Sequence, residues 1–156
     1  MAAFKIGEFI NMAVKDEDTG EAFYRALAES TNNNTVRDEC LRIADQEKEH
    51  SQRFQKMLDE VGMEKPREQY EGQYEAYLNF LLTSRAFPSP EAAAKGASGL
   101  GDAEGLRIAM GLEKDTLLFY EEIKKLIPDT HANYVADIIK EERVHLEDLW
   151  KLMGKL

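Results

Sequence analysis

Four stretches of this chain each place a single acidic residue in the middle of an otherwise apolar helical stripe. Written at alternating spacings of three and four, the first runs Ile6, Ile10, Ala13, Glu17, Gly20, Tyr24, Leu27. The second runs Val36, Cys40, Ile43, Glu47, His50, Phe54, Met57, Val61. The third is Leu106, Ala109, Glu113, Thr116, Tyr120, Ile123, Ile127, and the fourth Val135, Ile138, Glu142, His145, Leu149, Leu152. Such spacing puts every member of a stripe on one helix face, so each helix turns an apolar seam with a central acid toward a common core. Four uncompensated carboxylates cannot share a core without protonation or a positive partner. Two divalent cations would balance four carboxylates and two neutral imidazoles with no charge left over. Helices two and four carry their histidine three residues after the acid, one turn along on the same face.

The helices predicted from these seams span about 4–30, 35–61, 102–127 and 130–153, in a single all-α domain over 1–156. Thr35 with Asp38 reads as a capping-box start for the second helix, and Asp129 or Thr130 as the cap of the fourth. The turns inside each pair are short, so both pairs are antiparallel hairpins. The connection over 62–101 is far longer than a bundle turn requires. Tyr70, Tyr74, Tyr77 and Leu81 recur within it at helical spacing, and Ser89-Pro90-Glu91 opens a further short helix with an N-cap, a first-position proline and a first-turn acid. A helix of roughly 27 residues is about 40 Å long. A connection of this length can cross it and return the third helix parallel to the second.

The two halves repeat. Residues 14–27 align with 110–123 at an offset of 96, and 43–54 with 138–149 at an offset of 95. A duplicated hairpin predicts a core of pseudo-twofold symmetry, suited to a symmetric pair of ions. The repeat also selects Glu17 from the acidic run 16–18, and Glu142 rather than Glu141 as the counterpart of Glu47. Glu49 lies off the seam. His131 falls about 16 Å from Glu142 along the helix, too far to bind with it, and Cys40 lies about 10 Å from Glu47 as a small core residue. Tyr24 and Tyr120 each follow a seam glutamate by seven residues. Helical side chains lean toward the N-terminus, so both phenols point back to the acidic layer as donors to a ligating carboxylate. Gly20 and Thr116 keep that layer small.

The net charge of −10 argues against nucleic acid or an anionic membrane as partner, since both are bound through Lys and Arg surfaces. No stretch approaches the length of a membrane span. The opening MAAFKIGEF has neither the basic start nor the apolar run of a signal peptide, and the one cysteine allows no intrachain disulfide. A cytoplasmic protein is the expectation.

Glu17 with Phe23-Tyr24, the run Ala44-Asp45-Gln46-Glu47-Lys48-Glu49-His50, the run Leu112-Glu113-Lys114-Asp115 with Phe119-Tyr120, and the pair Glu142 and His145 resemble the rubrerythrin branch of the ferritin-like superfamily. The resemblance covers all four core helices. It implies a ferritin-like four-helix bundle with a non-haem di-iron centre, ligated by Glu17, Glu47, His50, Glu113, Glu142 and His145. It further implies reduction of peroxide or dioxygen, an external electron donor such as a rubredoxin-like protein or flavoprotein, and a homodimer. Two departures stand out. One cysteine cannot build the rubredoxin-like iron domain of rubrerythrins proper, and Thr116 stands where their third core helix has a second glutamate. Carboxylate and imidazole serve iron, manganese and zinc alike, so two Mn or Zn ions remain open. Also open are iron oxidation and storage, a di-manganese catalase or hydroxylase, and a bundle that only binds partners.

Overall fold

The computed structural model describes residues 5–64 and 72–156. Six helices and no strands are present among the described residues: α1 (Ile6–Ser30), α2 (Asn34–Val61), α3 (Gly72–Thr83), α4 (Pro90–Ala97), α5 (Asp102–Leu126) and α6 (Asp129–Met153). None of them is long and apolar enough to cross a membrane.

Cross-helix contacts fix the directions. Ser51 reaches Asp18 and Arg25 reaches Asp45, so α1 and α2 run antiparallel. Tyr24 meets Glu113 while Tyr120 meets Glu17, which makes α5 antiparallel to α1. Arg143 meets Glu121 and His145 lies 3.9 Å from Glu113, so α6 runs antiparallel to α5. Helix α5 therefore runs parallel to α2, and only a crossover along the bundle can join two such helices. This is the ferritin-like arrangement.

The seams form the core in two apolar blocks. One gathers Ile6, Phe9, Ile10, Phe54, Ile123, Val135 and Ile138. The other gathers Phe23, Leu27, Val36, Cys40, Ile43, Leu106 and Leu149. Between them lies the layer of seam acids, all buried. Burial at both ends ties down the helices, so the polar layer is held from above and below. Cys40 is buried in the second block, and burial pushes its thiol up to about 12.

Local signals differ from expectation at three places. Helix α2 is capped by Asn33, whose side chain accepts from the amides of Thr35 and Val36, and not by Thr35. An Asn carbonyl on an extended residue reaches two orphan amides at once. Helix α6 follows Pro128 with no side-chain cap, so Asp129 is its first residue and neither Asp129 nor Thr130 is the cap. In α3, where side chains are described from Ala76 onward and Tyr74 lies outside them, Leu78 and Leu81 are buried, whereas Tyr77 is 39% exposed. Tyr70 lies outside the described residues. Helix α4 begins at Ser89-Pro90, with Ser89 accepting from Ala92 N. Its Ala93 and Ala97 are buried in the second core block.

Candidate metal centre

Each core helix delivers its seam acid to the same level. Glu17 comes from α1, Glu47 and His50 from α2, Glu113 from α5, and Glu142 and His145 from α6; none of these six is more than 4% exposed. Their donor atoms fall into two groups. Glu17, Glu47, His50 and Glu142 form one, and Glu47, Glu113, Glu142 and His145 the other, with the atoms of each group within 4.8 Å of one another. Glu47 and Glu142, the acids of the two Glu-x-x-His pairs, belong to both. The His50 and His145 rings stack at 5.7 Å with 26° between planes, as the pseudo-twofold repeat requires.

His145 Nδ1 pairs with Glu142 Oε2 at 3.0 Å, but the contacts around His50 suit a shared positive guest better than direct pairing. His50 Nδ1 stands 2.7 Å from Glu142 Oε1 and 3.5 Å from Glu17 Oε2. Yet these three atoms, with Glu47 Oε1, are buried without a hydrogen-bond partner. Donor atoms this close but not aimed at one another converge on a common point, as the ligands of a cation do. Carboxylate and neutral imidazole are also the donor types that iron, manganese and zinc accept. The residues present fit a pair of such ions.

Electrostatics agree with that reading. Burial first, and then repulsion by Glu142, pushes the Glu47 and Glu113 carboxyls well above their ordinary range. Burial and Glu142 likewise raise Glu17, against the pull of His50 and Tyr120. Burial also acts against the Glu142 charge, but the His145 and His50 rings outweigh it and hold Glu142 below the usual carboxylate range. His50 is opposed by burial and drawn by Glu142 and Glu17, which carry it up to about 11. Protons do here what cations would do more completely.

The two tyrosines cross over. Tyr24 of the first hairpin donates to Glu113 of the second, and Tyr120 of the second donates to Glu17 of the first. Each outer histidine nitrogen also meets the opposite hairpin. His50 Nε2 lies 2.7 Å from Glu141 Oε2, and His145 Nε2 lies 2.9 Å from Gln46 Oε1. Glu141 and Gln46 both lie off the seams. The repeat offset of 95 pairs them, each one residue before a Glu-x-x-His, and that was the available sign.

A cavity of about 30 Å³ opens beside the layer, touching Asp16, Gly20, Glu47, Arg85, Glu113 and Thr116. Arg85, contributed by the crossover, lies 2.8 Å from Asp16 and over the Phe119 ring. Burial raises the Asp16 carboxyl to about 7 despite that guanidinium. A Cβ at Gly20 would stand 2.5 Å from Glu47 Oε2, so any larger residue there must displace that carboxylate. His131 pairs with Glu60 at 2.8 Å instead of joining the layer, and Glu49 is exposed.

The sequence profile of the Rubrerythrin family matches residues 8–153. A crystal structure from Thermotoga maritima, provisionally described as a ferritin-like diiron-carboxylate protein, superposes with a TM-score of 0.72. It is 27% identical, and the match covers 99% of this chain and 97% of that one. A search of curated proteins gives no significant match.

Proposed function

Since the chain belongs to the rubrerythrin family, we propose that it is a di-iron oxidoreductase that reduces peroxide or dioxygen with electrons from a separate donor protein. Glu17, Glu47, His50, Glu113, Glu142 and His145 would hold the two ions. The observation that carries this reading is the division of six buried side chains into two four-residue groups that share Glu47 and Glu142. Glu47 and Glu142 would be shared by the two ions, with Glu17 and His50 completing one ligand group and Glu113 and His145 the other.

Iron bound there supplies the electrons and the Lewis acidity for the reduction. The chain supplies the rest. Tyr24 and Tyr120 hold Glu113 and Glu17 in place through their hydroxyls. Gly20 and Thr116 leave a cavity of about 30 Å³ beside the layer, room for a small oxidant. The apolar blocks above and below keep bulk water away from the layer. A rubredoxin-like protein or a flavoprotein is the expected donor. A cytoplasmic homodimer is the expected form.

Metal analysis of protein purified without added metal is expected to give two iron ions per chain; two manganese or zinc ions would overturn the iron assignment. Stopped-flow mixing of anaerobically reduced protein with peroxide or dioxygen tests the reaction. Oxidation by peroxide is expected, with less preference over dioxygen than a rubrerythrin shows, because Thr116 offers no second carboxylate on α5. Thr116→Glu should raise that preference. Inertness toward both oxidants would defeat the oxidoreductase reading.

A further inference from the structure

The repeat makes the two ion positions nearly equivalent, and the pair of residues that backs the histidines breaks the equivalence. Each position has its own glutamate held by a tyrosine from the other hairpin, one histidine, and a share in Glu47 and Glu142. Both histidines turn Nδ1 into the layer, His50 to 2.7 Å from Glu142 and His145 to 3.2 Å from Glu47. A histidine that ligates through Nδ1 keeps its proton on Nε2 and donates it outward. The outward acceptors occupy matched positions of the repeat, 46 and 141, but they differ by one unit of charge. His50 meets the Glu141 carboxylate at 2.7 Å; His145 meets the Gln46 amide oxygen at 2.9 Å. That amide oxygen also accepts from Arg42 at 2.6 Å, which draws density away from it. Glu141 accepts from Arg53 at 2.9 Å, but through its other oxygen.

Resting on the metal-centre reading above, we propose that Glu141 makes the two positions unequal, so that the ion at Glu17 and His50 is held more tightly than the ion at Glu113 and His145. A carboxylate polarises the Nε2–H bond more than an amide does, and the electron density returned to Nδ1 makes His50 the stronger ligand. Glu141 is a positioning residue: it touches neither ion and acts through His50. Partners of this kind change metal affinity by about 10–100-fold.

The test is titration of metal-free protein with zinc, a redox-silent probe, followed by the imidazole resonances in NMR. His50 is expected to respond within the first equivalent and His145 within the second, with stepwise affinities at least about tenfold apart. Glu141→Gln should weaken the first step about tenfold or more and bring the two together. The double swap Gln46→Glu with Glu141→Gln should reverse the order. Should Glu141→Gln fail to fold, Gln46→Glu alone serves, since it should strengthen the His145 step without touching His50. Simultaneous filling in the native protein, His145 filling first, or an order unchanged by the swap would overturn the proposal. Absence of any response from either histidine at excess zinc would instead defeat the metal-centre reading itself.

Discussion

The hydroxyl of Tyr24, on the first helix, donates to the carboxylate of Glu113, on the third helix of the bundle core, and Tyr120 returns the arrangement to Glu17. Each hairpin thus steadies an acid that belongs to the other. Both phenols are fully buried, and burial, with the neighbouring carboxylates, keeps them protonated well above the ordinary tyrosine range. They act as fixed donors.

Tyr24→Phe should therefore loosen the ion at Glu113 by about tenfold and leave the ion at Glu17 nearly unchanged, while Tyr120→Phe does the reverse. In metal-free protein, losing this buried hydrogen bond should cost about 1 kcal/mol of stability. Competition against a chromophoric chelator, with thermal melts of the metal-free variants, reads both effects. Equal weakening of both ions by one substitution would contradict the crossed pairing.

Glu47 lies in both donor groups, whereas Glu49, two residues on, is exposed. Glu47→Ala should lower the affinity for both ions, and Glu49→Ala should change neither. Metal content after gel filtration distinguishes them. Matching losses in the two variants would remove Glu47 from the centre.

Gly20 and Gly111 offer a paired comparison on helix interiors. A methyl at Gly20 meets Glu47 Oε2 at 2.5 Å, whereas one at Gly111 has open space. Gly111→Ala should stabilise the protein by about 0.5–1 kcal/mol through helix propensity, with metal binding intact. Gly20→Ala has the same propensity gain but displaces a shared carboxylate, so metal affinity should fall even if the metal-free melt rises. A Gly20→Ala protein that binds metal normally would show that Glu47 has room to move.

Stability of the metal-free protein should fall as pH rises through the neutral range. Glu47 and Glu113 are raised above 4.5 by burial and by Glu142, and Asp16 from 3.8 to about 7 by burial against the pull of Arg85. Over that window the native state binds more protons than the unfolded chain, so the slope of stability with pH is negative. His50, at about 11, extends the same sign upward from 6.5. Glu142, held low, acts oppositely only below its ordinary 4.5. Metal displaces the protons from its ligands, so the loaded protein should keep only the part due to Asp16 and should gain affinity with pH. Calorimetry between about pH 5 and about pH 7 tests this; a metal-free melting temperature that climbed over that range would reverse the sign.

The sequence by itself determined the features that repeat within one helix. The three-four seams, the acids at their centres, the histidine one turn after Glu47 and Glu142, and the Ser89-Pro90 start of α4 all follow from periodicity and local backbone chemistry. Hydrophobic spacing alone sets which face turns inward, and a long crossover is the simplest way to keep α5 parallel to α2. Tertiary structure decided what crosses between helices. That Glu47 and Glu142 are the shared acids, that each tyrosine serves the opposite hairpin, and that Glu141 and Gln46 back the histidines depend on the offset and rotation of one helix against another. So does the pairing of Arg85 with Asp16, sent from a crossover whose path no periodicity specifies. The caps divide the same way: Ser89 was legible, while Asn33 won over Thr35 because the chain leaves α1 in an extended conformation that aims the Asn carbonyl at two free amides. Within a helix, neighbours are fixed by a 3.6-residue turn. Between helices, they are chosen by packing of the two apolar blocks, which brings the six side chains to one level.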